Sequence, residues 1–177
     1  NDADPQTALS NKRFPWLSAK QIELRMCPVN AIRVAYTGEL GWELHHPIEM
    51  QNYLWDLLLK EGEEFGLKLV GARAQNWLRQ EKSYRAFGNE LGRDATPAEA
   101  DLPRFIDQCK EFNGKTAMKK IGIRAQCVTV LINGPEDADP WGREALFHND
   151  TKVGRLTSGG FSVVFNKQIG MGYVSRS

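Results

Sequence analysis

The side chains with most chemical potential crowd into residues 34–47, V-A-Y-T-G-E-L-G-W-E-L-H-H-P: a phenol at Tyr36, carboxylates at Glu39 and Glu43, an indole at Trp42 and imidazoles at His45 and His46. Glu39 and Glu43 admit two readings. One is a functional carboxylate that accepts hydrogen bonds; the other is a pair of solvated groups on a hairpin rim, which spacing alone favours. Val34 and Tyr36 end a run of period-2 alternation, Gly38 and Gly41 bracket an acidic turn, and Trp42 to Leu44 restart an extended segment that Pro47 closes. Successive strand side chains face opposite ways, so Trp42 and Glu43 cannot share a face. If one is buried in a wall, the other points into whatever that wall encloses.

The elements around this stretch follow from pattern. Residues 1–17 read as an irregular connection with Pro5 and Pro15. Runs 21–26 and 31–36, separated by C-P-V-N at 27–30, predict a hairpin, and residues 42–44 add a third strand. Pro47 opens a helix whose apolar residues Met50, Leu54, Leu57 and Leu58 recur at helical spacing, and Lys60-Glu61-Gly62 supplies a stop. Residues 70–81 predict a second helix with Ala72, Trp77 and Leu78 inward and Arg79 and Glu81 outward. Residues 82–103 are loop-rich, and loops of this length inside a compact domain are usually functional or else disordered. From Cys127 the character is all-β: strands at 127–132, 141–147 and 152–157, with an Asn149-Asp150 turn, then 163–165 and 169–174.

Bulk properties exclude several classes. With 23 basic against 22 acidic residues and a net charge of +1, the chain lacks the footprint of a nucleic-acid binder. Its 3 cysteines are far apart and without C-x-x-C, which argues against a disulfide framework or structural zinc; its 3 histidines supply no metal motif. No apolar run approaches the ~18 residues of a membrane span. Gly170-x-Gly172 and Gly38-x-x-Gly41 lack the context of a dinucleotide loop. Ser158 has no nucleophile elbow and reads as a turn serine, and Asp137-Ala138-Asp139-Pro140 as a turn before a strand.

Several motifs together carry a resemblance. Residues 36–44 resemble the Y-x-G-E-x-G-(Y/W/V)-E-(I/L) segment of the folate-binding aminomethyltransferase family, which comprises the glycine cleavage T-protein and the folate domains of sarcosine and dimethylglycine dehydrogenases. Residues 78–91, L-R-Q-E-K-S-Y-R-A-F-G-N-E-L, are similar to that family's L-R-L-E-K-G-Y-R-x-W-G-x-D-L, and 96–102, T-P-A-E-A-D-L, to its T-P-x-E-A-G-L. Residues 112–121 resemble its F-I-G-R-E-A-L segment, 153–162 its V-G-x-(V/L)-T-S-G-G-(Y/F) and 169–174 its A-L-G-Y-V. The resemblance runs from about Trp16 onward.

It implies an α+β fold: a small antiparallel sheet with packed helices over residues 1–110, forming half of a folate-binding domain, then an antiparallel β-barrel-like domain over 111–177 that lacks its last strands. Both ends read as cut. The family's catalytic aspartate belongs to the missing first half, so no catalytic residue is expected in this chain. The implied activity is tetrahydrofolate-dependent one-carbon transfer from a methylamine-type substrate, with FAD, where a dehydrogenase is attached, on a domain outside this chain. The implied partner is the N-terminal half of the same protein; nucleic acid and membrane are not expected. The implied location is the cytoplasm, or the mitochondrial matrix in a eukaryote.

Among site residues, Tyr36 matches a tyrosine packed beside the folate and Glu43 the glutamate that takes hydrogen bonds from the pterin ring. Leu44 and His45 fall where the family makes further contacts. Arg104 stands where the dehydrogenase branch often has tyrosine; it could stack on the aminobenzoate ring, pair with the glutamate tail, or be surface charge. Gln75 replaces an arginine of T-proteins proper, as in the dehydrogenase branch. Three alternatives stay open: a sulfonium-compound demethylase relative, a non-catalytic folate-binding factor like those of iron–sulfur assembly, and an interaction domain without a pocket. Ser83, where the iron–sulfur relatives carry cysteine, counts against the second; Gln75 and Arg104 keep the third alive.

Overall fold

The structure is a computed structural model that describes residues 5–135 and 137–176. The chain divides into two compact units, Asn1–Gly71 and Ala72–Ser177.

The first unit opens with a single helical turn, α1 (Pro5–Ala8), followed by β1 (Ala19–Leu24), β2 (Cys27–Ile32) and β3 (Glu43–His45), an antiparallel sheet in that order. Residues 1–4 of the expected irregular connection lie outside the described residues. Its remainder is more than a connection: Phe14 is fully buried and forms the core with Cys27, Val29, Ala31 and Leu54. The buried residues of β2 alternate along the strand, so one sheet face is core and the other open.

The β1–β2 hairpin does not turn at C-P-V-N. Leu24 pairs with Cys27, which leaves Arg25-Met26 as a two-residue turn. Arg25 adopts φ 54°, a conformation normally signalled by Gly or Asn, so an arginine hides the turn. Pro28 is then a strand residue. It tolerates this because β3 covers only Asn30 to Ile32, and no ladder partner on that side needs its missing N–H. The strand expected to reach Tyr36 ends at Ile32; beyond it the chain bends through Gly38, φ 75°, and Gly41 approaches Ala35 so closely that a Cβ would sit 2.8 Å from the alanine's own.

The expected first helix is present as a 3-10 turn, Ile48–Met50, leading into α2 (Gln51–Gly62), with Leu54 buried. It does not stop at Gly62. A further 3-10 turn, Glu63–Phe65, follows, and Gly66 ends it in the left-handed region at φ 68°. Gly62 is needed for another reason: a Cβ there would fall 2.5 Å from Leu67 Cδ1.

The second unit holds α3 (Ala72–Glu81), a long loop with a 3-10 turn at Pro103–Phe105, α4 (Lys115–Ile121) and four strands, β4 (Ala125–Ile132), β5 (Ala145–His148), β6 (Thr151–Ser162) and β7 (Lys167–Ser175). The strands form an antiparallel sheet in the order β4-β7-β6-β5, open rather than a closed barrel among the described residues. Asn149 and Asp150 make the β5–β6 turn with φ 48° and 61°, the primed geometry suited to that pair. Residues 163–165 are not a strand. Val163 and Val164, each 72% exposed, belong to the β6–β7 turn, which ends at Asn166, φ 48°. α3 packs on β6 and β7, with Trp77 seated on Gly160, where a Cβ would lie 2.1 Å from the indole. Among the described residues, no helix is long and apolar enough to cross a membrane.

Candidate functional site

The open face of the first sheet carries the side chains of interest, and register fixes which ones share it. Gln21, Asn30 and His45 form one row across the three strands, and Ala19, Ile32 and Glu43 form the next. Directly opposed residues point to the same face. Gln21, Asn30, Glu43 and His45 are all exposed. The Glu43 and His45 side chains stand two residues apart on β3, and Glu43 Oε2 is 3.4 Å from His45 Nε2.

Between and before them, Trp42 and Leu44 go the other way, against the core. The Trp42 ring meets Phe14 at 6.4 Å between centroids, and the Arg33 guanidinium lies 5.9 Å from its centre. Arg33 also donates to the Phe14 carbonyl and to Asn11 Oδ1, which ties the leading segment to the end of β2. Trp42 is thus the wall and Glu43 the group the wall presents, as the alternation requires. The Leu44 side chain lies on the core side, which leaves only its backbone on the strand's other face. Tyr36 is 37% exposed in the segment after β2. Arg104 belongs to the second unit, in the 3-10 turn, with its guanidinium 4.9 Å from the Phe105 ring centre.

The second unit contains a cluster that sequence reasoning missed. Arg79, expected to face outward, is fully buried. Its Nη1 donates to Glu90 Oε2 at 3.0 Å and to the Tyr84 carbonyl at 2.7 Å, its Nη2 to Ser158 Oγ at 2.7 Å, and its Nε to Asn76 Oδ1 at 2.9 Å. Glu90 Oε1 accepts from Ser158 Oγ at 2.5 Å and Thr157 Oγ1 at 2.7 Å, and Oε2 from the Ala86 N–H at 2.9 Å. Burial favours the neutral acid, but the hydrogen bonds of Ser158, Thr157 and Ala86 and the charge of Arg79 outweigh it and hold Glu90 below the usual carboxylate range. Ser158 is therefore a buried strand residue committed to an ion pair, and not the turn serine expected. Glu81 is not outward either: it accepts from Ser162 Oγ at 2.6 Å and the Val164 N–H at 3.1 Å, holding the β6–β7 turn.

The T-P-A-E motif does comparable work. Thr96 and Glu99 exchange reciprocal bonds, Thr96 N–H to Glu99 Oε2 at 2.8 Å and Glu99 N–H to Thr96 Oγ1 at 3.2 Å, in the manner of a capping box. Glu99 also takes Arg124 Nε at 2.8 Å and Nη2 at 3.0 Å. The Arg124 guanidinium, against the opposing cost of burial, holds the Glu99 carboxyl well below the usual range. The motif thus clamps the start of β4, where the Cys127 N–H donates to the Glu99 carbonyl at 2.8 Å. One signal could have found both clusters: the motifs at 78–91, 96–102 and 153–162 are where buried polar residues concentrate.

The two units, with a polar open sheet in one and a clamped four-stranded sheet in the other, match the crystal structure of glycine cleavage system aminomethyltransferase T from Bartonella henselae. The TM-score is 0.78 at 27% identity, over 90% of this chain and 44% of that one. The model described as "GCVT N-terminal domain" matches residues 2–110, and the "Glycine cleavage T-protein C-terminal barrel domain" matches residues 126–177. The chain belongs to the glycine cleavage T-protein family. It is 39% identical to the mitochondrial dimethylglycine dehydrogenase of Homo sapiens over 94% of its length, and 33% identical to the mitochondrial sarcosine dehydrogenase of Mus musculus over 98%. An aminomethyltransferase of Caldanaerobacter subterraneus is 37% identical over 80% of the chain. The chain spans 20% and 19% of the two dehydrogenases and 38% of the aminomethyltransferase.

Proposed function

We propose that this chain is the folate-binding portion of an enzyme that passes a one-carbon unit from a methylamine-type substrate to tetrahydrofolate, of the dimethylglycine or sarcosine dehydrogenase type. In this reading, residues 1–110 contribute part of the folate-binding domain and 111–177 a β-rich domain, and any flavin is held elsewhere in the polypeptide. Tetrahydrofolate supplies the nitrogens that take up the carbon.

The supporting observation is the alternation at β3. Trp42 and Leu44 are anchored in the core, so Glu43 is held outward on a sheet face rather than free on a loop. A pterin edge offers an amino group and a ring N–H side by side, and an ionised carboxylate accepts both in strong, charge-assisted bonds. The apolar strip of Ala19 and Ile32 beside Glu43 suits the flat ring face. Tyr36, the backbone of Leu44, His45 and Arg104 are carried as further folate contacts on the sequence resemblance alone.

Calorimetric titration of the chain with tetrahydrofolate tests this. Saturable binding, weakened by about 1–3 kcal/mol in Glu43→Ala, is expected. An absence of heat at millimolar ligand, in a chain shown to be folded, would contradict it.

A further inference from the structure

We propose that Asn30 and Gln21 are specificity-determining residues of this same face, reading the pteridine edge that Glu43 does not reach; the inference rests on the folate reading of Glu43. Both stand in the row next to Glu43, Asn30 opposite His45 and Gln21 opposite Asn30. Asn30 is a diagonal cross-strand neighbour of Glu43, and such pairs are about 7–8 Å apart, a separation that a fused two-ring system lying flat on the sheet can bridge.

Three features set these amides apart from an ordinary solvated strand face. Asparagine is a poor strand residue, yet Asn30 occupies the central strand, between Gln21 and His45. Neither the Asn30 nor the Gln21 side chain has a hydrogen bond among the described residues, although Glu43 and His45 on the same face are paired with each other. Their position continues the polar row while Ala19 and Ile32 supply the apolar strip, so ring face and ring edges each have a matching surface. A carboxamide offers one acceptor and two donors. It can therefore meet an oxo group by donating or an amino group by accepting, whereas Glu43 only accepts.

The test is titration of the full 177-residue chain with tetrahydrofolate and with a 4-amino folate analogue, comparing wild type, Asn30→Ala, Asn30→Asp, Gln21→Ala and Glu43→Ala. Thermal melts would check that each is folded, as expected for exposed positions. Asn30→Ala is expected to weaken tetrahydrofolate binding about 3–10-fold. Asn30→Asp, now acceptor-only, is expected to shift the affinity ratio toward the 4-amino compound. If the Asn30 and Gln21 variants bind both ligands as wild type does while Glu43→Ala is weakened, the inference is overturned and the folate reading survives. If wild type binds neither ligand, both fall.

Discussion

Arg79 Nη1 and Glu90 Oε2 meet 3.0 Å apart with side chains 1% and 0% exposed, and this pair joins α3 to the loop before β4 and, through Ser158 and Thr157, to β6. Removing one partner strands a buried charge. Arg79→Met is expected to destabilise the second unit by about 3–5 kcal/mol, whereas Glu61→Ala, which breaks the exposed pair with Arg25, should change stability by about 1 kcal/mol or less. The double variant Arg79→Met/Glu90→Met should lose much less than the sum of its singles. Urea denaturation reads all of these; additive losses would mean that the pair is not coupled.

The pH dependence follows from three groups in the same unit. Glu90 and Glu99 have folded pKa values below the ordinary 4.5. Their stabilisation is complete above the unfolded value and is lost as pH falls through the folded values, so acid unfolding should begin below about pH 4.5. Tyr173, whose hydroxyl donates to the Glu90 carbonyl at 2.7 Å, is pushed up to about 12 by burial. Its contribution is intact below pH 10 and is lost as pH rises through 12. Melting temperature against pH should show both limbs. Glu99→Gln should lower stability at neutral pH and flatten the acid limb, and Tyr173→Phe should flatten the alkaline one; unchanged profiles would contradict these assignments.

Local pattern made the first sheet's alternation legible, because a period of two is imposed by strand geometry alone: that Trp42 and Glu43 face opposite ways needed no tertiary information, and the packing of Trp42 against the core then settles which one is inward. The Asn149-Asp150 turn was legible because its residues tolerate positive φ. Arg25 was not, because its residue type gives no such sign. Arg79 and Ser158 were misplaced for a different reason. A charged residue on an amphipathic helix faces water by default, and only partners 11 and 79 residues away, Glu90 and Ser158, reverse that. Val163 and Val164 have strand-forming side chains but sit in a turn that Glu81 holds from α3. Asn30 and Gln21 escaped notice because cross-strand register, which places them beside Glu43, depends on a turn that was misplaced.

The central claim is that the open face of β1, β2 and β3 receives a reduced folate, and backbone amide hydrogen exchange with and without tetrahydrofolate tests it most directly. Slowed exchange concentrated at residues 30–32 and 43–45, absent in Glu43→Ala, is the result expected. Exchange unchanged there at saturating ligand, or slowed only within the second unit, would contradict the claim.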